Sequence, residues 1–209
     1  MAGGNRIVYA KYKTNYISSS VPDKGSVKVL DFGCGDGTSL ELLRITNPQW
    51  LLYGVDISAE SIDIAGSKHI GNCEFTLFDG IQIPYQNNLF SVIFAANVMH
   101  HIPFEHHEKV FQEIHRVLSP GGQLFIFEHN PFNPVTRKIF KDCIFDRDAN
   151  MLKPGYLSKI LLKCGFLNVK ISFHLFFPRH RFFSPFFRME SLLSWLPLGG
   201  QYCAWFTKK

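Results

Sequence analysis

Val29-Leu30-Asp31-Phe32-Gly33-Cys34-Gly35-Asp36-Gly37-Thr38 is an apolar run carrying one acid, then three alternating glycines, then the start of an amphipathic segment. That order reads as a buried strand, a tight turn and a helix N-terminus. Glycine suits the turn because it tolerates positive φ and lets a ligand approach the backbone closely. The first helical turn offers unpaired N–H groups, and open α/β sheets bind ligands where such strands end. The pattern departs from the dinucleotide fingerprint, which needs glycine where Thr38 stands and gives Asp31 no role. The next apolar run, Trp50-Leu51-Leu52-Tyr53-Gly54-Val55, closes on Asp56, 25 residues after Asp31. That distance suits one strand–helix–strand unit. It also puts a second carboxylate at the adjacent strand end, where it can accept two hydrogen bonds from a ribose diol.

Here the chain resembles the class I S-adenosylmethionine-dependent methyltransferases, which carry an acid-x-G-x-G-x-G turn on the first strand and an acid closing the second. The resemblance continues through Phe75-Thr76-Leu77-Phe78-Asp79, similar to the family's third strand. It extends through Ile83-Pro84-Tyr85 and Phe90 to Ile102, similar to the family's fourth strand and its following His-His pair, with Ser91 in place of the usual Asp. Val117-Leu118-Ser119-Pro120-Gly121-Gly122 and Gln123 to Phe127 resemble the Pro-Gly-Gly turn and the fifth strand. These matches cover roughly residues 25–130 in the family's order. They imply a Rossmann-like, doubly wound α/β fold with a seven-stranded sheet, mostly parallel, with an antiparallel last strand. They also imply S-adenosylmethionine as cofactor, with Asp31, Gly33, Gly35, Asp56, Ile57, Asp79, Gly80 and Asn97 lining its pocket. In that assignment Gly33 and Gly35 admit the methionine part, Asp56 takes the ribose hydroxyls and Asp79 the adenine amine.

A chain of 209 residues suits one domain. We take residues 1–24 as an N-terminal cap and 130–154 and 178–198 as substrate-side insertions. With 46% hydrophobic and 19% charged residues the composition is that of a globular protein. The net charge of +5 is scattered, and only Arg179-His180-Arg181 with Arg188 approaches a basic cluster, which disfavours a nucleic-acid groove. Five cysteines without metal spacing read as thiols in a reducing compartment. The first 13 residues hold no apolar signal core, and no apolar run is long enough for a spanning helix, so the cytoplasm is expected.

Apolar runs alternate with helical patterns along the chain, as a doubly wound sheet requires. Helices are expected over Thr38–Ile45, from Pro103 to Ser119, and from Leu157 to Cys164 with Gly165 as C-cap. Leu167–Phe177 and Gly200–Phe206 would be the sixth and seventh strands. The leading segment places Tyr9 and Tyr16 seven apart, on one helical face, either packed on the sheet or covering the cofactor. Phe186, Met189, Leu193 and Leu196 fall on one face of an amphipathic helix of about three turns. It reads as a lid on the core or as an interface for an apolar substrate, a dimer or a membrane surface.

For the chemistry, an acceptor lone pair must be held in line with a sulfonium-bound methyl, and a hydroxyl acceptor must also lose its proton. The strand ends offer Asn97–His101 and Glu128-His129-Asn130-Pro131. A histidine there can take a proton at neutral pH, so His129 is the preferred base and His101 the second candidate. Glu128, Asn130 and Arg137 are assigned to substrate. The run Glu128-His129-Asn130-Pro131-x-Asn133-Pro134-x-Thr136-Arg137, with Phe145-Asp146-x-Asp148-Ala149, resembles a segment of uncharacterised family members found with glycan or lipid biosynthesis. His106 and His107 read as solvated, and His115 as exposed. Asp36 serves as a helix cap or a ligand contact. No metal is expected, because the spacing of Asp142, Asp146 and Asp148 matches no known loop. Phe132, Phe140, Phe176, Phe177 and Phe183 suggest an apolar or lipid-linked acceptor methylated at oxygen, with nitrogen or carbon left open. The rivals are a nicotinamide-dependent oxidoreductase, which Thr38 opposes, and a non-catalytic module holding a partner on its apolar C-terminal surface.

Overall fold

The strand before the glycine turn is sealed on both faces, as a central parallel strand requires. In a computed structural model describing residues 2–22, 25–177 and 181–209 it is β1 (Lys28–Phe32). Parallel neighbours flank it: β2 (Leu51–Asp56) on one side and β4 (Phe90–Ala96) on the other. Beyond these lie β3 (Cys73–Leu77) at one edge and β5 (Leu118–His129), then β7 (Gln201–Lys208) and β6 (Phe166–His174). The order is β3-β2-β1-β4-β5-β7-β6. Only β7 runs antiparallel to its neighbours, pairing with both β5 and β6. The expected topology therefore stands, with the last strand inserted inside the edge rather than at it.

Strand alternation divides the core into two layers. Leu30, Phe32, Leu124 and Ile126 face α4 (Phe104–Val117) and α6 (Pro154–Lys163), burying Val110, Phe111, Ile114, Leu157 and Leu161. Val29, Phe94, Phe125 and Phe127 face the other way, onto Ile17 of α1 (Ala2–Ser20) and Leu40 and Leu43 of α2 (Thr38–Thr46). Truncating any one of these to Ala would cost about 2–5 kcal/mol. α3 (Ala59–Ser67) starts at an N-cap Ser58, whose hydroxyl accepts the Ser61 N–H at 3.2 Å.

Boundaries shift where backbone geometry overrides the apolar pattern. β3 ends at Leu77, two residues before Asp79. α4 passes directly into β5, so the Pro-Gly-Gly stretch lies inside the strand. The register jumps there from Phe90↔Leu118 to Val92↔Gln123, with Gly121 at φ 72°. α6 ends as expected, with Gly165 at φ 92° beyond the C-cap. His107 does not stand in solvent: it is fully buried, its Nδ1 2.8 Å from Tyr156 Oη and its Nε2 3.0 Å from the Met99 carbonyl. His115 is half-buried, edge-on to Phe166.

The segment between β6 and β7 differs most. A 3₁₀ stretch spans Arg181–Met189 and a single α-turn, α7, spans Glu190–Leu193. Pro185 lies inside the stretch and has no N–H to give an α-helix. The exposed apolar residues are accordingly Leu192 (73%), Trp195 (72%) and Leu198 (60%), with Phe186 and Met189 half-exposed. Leu193 and Leu196 are only partly exposed. Residues 178–180, including Arg179 and His180 of the basic cluster, lie outside the described residues. α5 (Pro134–Asp142) and a 3₁₀ turn over Ile144–Asp146 fill the other insertion.

α1 is fastened across the sheet by a polar chain. Tyr12 Oη meets His174 Nδ1 at 2.6 Å, His174 Nε2 meets Ser172 Oγ at 2.8 Å, and Tyr16 Oη meets the same Oγ at 3.2 Å. Tyr16 therefore packs on the sheet, while Tyr9, two turns earlier, lines a cavity.

Candidate active site

The carboxyl ends of the central strands are knitted together by one acid. Asp56 Oδ2 accepts the Gly35 N–H at 2.8 Å and Oδ1 the Ser58 N–H at 2.9 Å. Gly33 and Cys34 donate to the Val55 carbonyl at 2.8 and 3.0 Å. The turn thus hangs from the end of β2. Gly33, Gly35 and Gly37 all have positive φ, at 77°, 52° and 74°. A Cβ on Gly33 would lie 2.5 Å from Val98 Cγ2, whereas one on Gly35 would meet nothing within 4 Å. Gly35 is therefore the open side of the cradle. Asp36 Oδ1 accepts the Thr38 N–H at 3.1 Å, a capping contact, and the residue also lines the cavity. Cys34 is buried and its thiol is pushed far up by burial, so it is inert.

Asp31 is buried beneath the turn. Burial holds its carboxyl well above the usual range; Asp56 adds to this and Lys13 opposes it. Lys13, on α1, is itself buried and lines the cavity, and burial brings its ammonium down to about 8 against the pull of Glu128 and Asp31. Sequence reasoning missed it. The signal was present: Tyr9, Lys13 and Tyr16 follow the inner face of one helix.

Ile57 is 68% exposed just past β2, and its Cγ2 would lie 3.2 Å from a Cβ on Gly80, which has φ 86°. An exposed apolar side chain lying against a glycine suits the flat face of a base. Asp79 is exposed and accepts the Ile81 and Gln82 N–H groups at 2.8 and 2.7 Å, which hold its carboxyl below the usual range. Asn97 has φ 60°, donates its N–H to the Phe127 carbonyl at 2.8 Å and accepts from Gln201 Nε2 at 3.4 Å. Of the eight residues expected at the cofactor, Asp31, Gly33, Gly35 and Asn97 line one cavity, whereas Asp56, Ile57, Asp79 and Gly80 stand at or beyond the ends of β2 and β3 and do not line it. The open cradle at Gly35 and the bare Ile57 fit S-adenosylmethionine.

The histidines separate. His129 lines the cavity beside Asn97, and burial brings its imidazole down to about 4, so it is neutral at pH 7. His101 is absent from the cavity wall; its side chain is 45% exposed, with Nε2 3.6 Å from Asp146 Oδ1. Glu128 does not line the cavity. It is buried, its Oε1 accepting the Met99 N–H at 2.9 Å and its Oε2 bonding His100 Nδ1 at 2.5 Å. The outward alternation that carries His129 to the cavity carries Glu128 away from it. Asn130 is also structural: its amide donates to the Pro197 and Gly199 carbonyls at 3.0 and 2.7 Å and its Oδ1 accepts the Phe132 N–H. Arg137 is exposed on α5 and does not line the cavity.

The cavity measures about 840 Å³. It runs from Asp31, Gly35 and Asn97 to an apolar end formed by Ile7, Val135, Ile139, Phe176 and Phe177. Of the other expected aromatics, Phe183 stacks on Phe177, Phe140 is buried edge-on to His129, and Phe132 is exposed. Another depression, of about 580 Å³, contains Asp63 and His69 but none of the strand-end acids.

A seven-stranded sheet with one reversed strand, a glycine cradle and paired strand-end acids define the class I S-adenosylmethionine-dependent methyltransferase fold. Residues 29–122 match the family described as methyltransferase domain. A solved S-adenosylmethionine-dependent methyltransferase from Archaeoglobus fulgidus superposes over 95% of this chain and 94% of its own, with TM-score 0.72 at 20% identity. A probable tRNA methyltransferase 9B from Bos taurus is 33% identical over 100 residues, 47% of this chain and 20% of that protein. The 27-O-demethylrifamycin SV methyltransferase of Amycolatopsis mediterranei is 28% identical over 116 residues, 53% of this chain and 42% of that protein. The chain thus spans less than half the length of these curated relatives.

Proposed function

We propose that this protein transfers a methyl group from S-adenosylmethionine to a hydroxyl of a small apolar or lipid-linked acceptor. The observation that carries the reading is the cavity, polar at the glycine cradle and apolar at Val135, Ile139, Phe176 and Phe177. Bound there, the cofactor would supply a sulfonium-borne methyl, an electrophile needing only an aligned lone pair. Gly33 and Gly35 would admit its methionine part, Asp56 the ribose hydroxyls, Ile57 and Gly80 the base, and Asp79 the exocyclic amine. Phe176, Phe177 and Ile139 would hold the acceptor and exclude water. The hydroxyl proton would pass to an imidazole nitrogen of His129, which burial keeps neutral and so able to accept it. Lys13, beside Asp31 and Glu128, would hold positive charge near the buried carboxylates.

The exposed Leu192, Trp195 and Leu198 would let the same face meet a membrane surface from the cytoplasm. The relative named as a tRNA methyltransferase makes RNA the alternative acceptor. Calorimetric titration with S-adenosylmethionine, S-adenosylhomocysteine and NAD, followed by product assays on hydroxylated lipids, glycans and tRNA, tests the reading. Binding of the first two ligands with turnover on a lipid or glycan supports it. Turnover on tRNA alone replaces the acceptor, and failure to bind either sulfur ligand leaves a non-catalytic module.

A further inference from the structure

We propose that His100, His101 and Asp146 form a binding site for a divalent metal of the zinc class, with Glu128 fixing His100 from behind. One donor atom from each of the three residues lies within 4.8 Å of the others. His100 Nε2 is 3.4 Å and His101 Nε2 3.6 Å from Asp146 Oδ1. Zinc bonds of roughly 2.0–2.1 Å in a tetrahedron place neighbouring ligand atoms about 3.3–3.4 Å apart, so the spacing suits a cation at the centre.

The tautomer points the same way. His100 Nδ1 donates to Glu128 Oε2 at 2.5 Å, and the other oxygen of that carboxylate is held by the Met99 N–H. With Nδ1 engaged by Glu128, Nε2 is the ring nitrogen left to face Asp146 Oδ1, and His101 Nε2 approaches the same oxygen. A carboxylate behind the remote nitrogen of a metal-bound imidazole is the usual outer partner of such a ligand. The two segments are already tied, since Asn150 donates its N–H to the His100 carbonyl at 3.0 Å, and Phe140 packs edge-on to the His100 ring. Two histidines and one carboxylate leave a fourth position open for an oxygen ligand. Aspartate spacing did not reveal the site because its ligands come from two segments distant in sequence: the turn after β4 and the loop after α5.

The test strips the full chain with chelator and titrates it with Zn²⁺ by calorimetry, then with Co²⁺ by visible absorption. One equivalent is expected, with the d–d bands of tetrahedral cobalt. H101A and D146N should lose that equivalent while keeping the folded circular dichroism spectrum. E128Q, which leaves all three ligands in place, should weaken binding roughly 10–100-fold. No stoichiometric metal in the parent chain, unchanged binding in both ligand variants, or a cobalt–thiolate band would each overturn the proposal. The first result would mean that a second proton on His100 bridges Glu128 and Asp146 instead.

Discussion

Gly33 and Gly35 stand two residues apart in one turn and are glycine for different reasons. At Gly33 a methyl group would collide with Val98, so Gly33→Ala should cost stability from both the clash and the positive φ, about 2–4 kcal/mol together. At Gly35 the space is open, and Gly35→Ala should cost only about 1 kcal/mol while blocking close approach of a ligand. Thermal unfolding paired with S-adenosylmethionine titration checks this: Gly35→Ala should keep most of its Tm and lose affinity. Affinity equal to that of the parent chain would end the cradle reading. His129 sets a pH signature. With its pKa brought down to about 4, kcat/KM should hold as pH falls from 7 to 5 and decline only below, whereas an ordinary histidine would act near 6.5. Lys13 acts on stability. Its folded pKa of about 8 lies below the unfolded 10.5, so between these values the unfolded chain binds more protons and stability rises with pH. Below pH 8 the burial penalty is fully present, on the order of 3 kcal/mol. Lys13→Met should therefore raise Tm at pH 7, with the gain shrinking to nothing by about pH 10.5.

At the scale of elements, the segment between β6 and β7 is organised by a single carboxylate. Glu190 is buried, and its Oε1 accepts the N–H groups of Phe176 and Phe177 at 3.0 and 3.3 Å, while the Phe173 N–H reaches the Ser194 carbonyl at 2.7 Å. These bonds hold the two phenylalanines at the apolar end of the cavity. Glu190→Ala should cost about 1–3 kcal/mol. It should also raise KM for the acceptor without changing affinity for S-adenosylmethionine, as steady-state kinetics and calorimetry would show. The opposite end of the sheet is tied by Lys208, whose Nζ donates to the His115 and Leu118 carbonyls at 2.6 and 2.7 Å. A lysine at the C-terminus of a helix meets carbonyls that lack intrahelical partners. Arg116 does the same for the loop before β4, reaching the Ile83 and Tyr85 carbonyls, each at 2.8 Å.

For the molecule as a whole, cofactor binding is a stability term. S-adenosylmethionine at about 100 times its Kd should add about 2.7 kcal/mol, which for a chain of this size raises Tm by roughly 5–10 °C. NAD at the same concentration should leave Tm unchanged, as differential scanning fluorimetry would show. The sheet and its glycine turn were legible in the sequence, because each rests on local pattern. Apolar runs closing on Asp31 and Asp56, glycines at fixed spacing and helix caps act over a few residues and repeat in order along the chain. The rest of the cavity wall was not legible, because the fold brings it together from distant segments. Glu128 and His129 are neighbours in sequence, yet the pleat of β5 sends one into a buried pair with His100 and the other to the cavity wall. Asn130 was drawn into holding the carbonyls of Pro197 and Gly199, nearly 70 residues away. Lys13 entered the site because α1 crosses the strand ends. Such assignments depend on which distant polar group arrives to satisfy a buried donor or acceptor, and no local spacing records that.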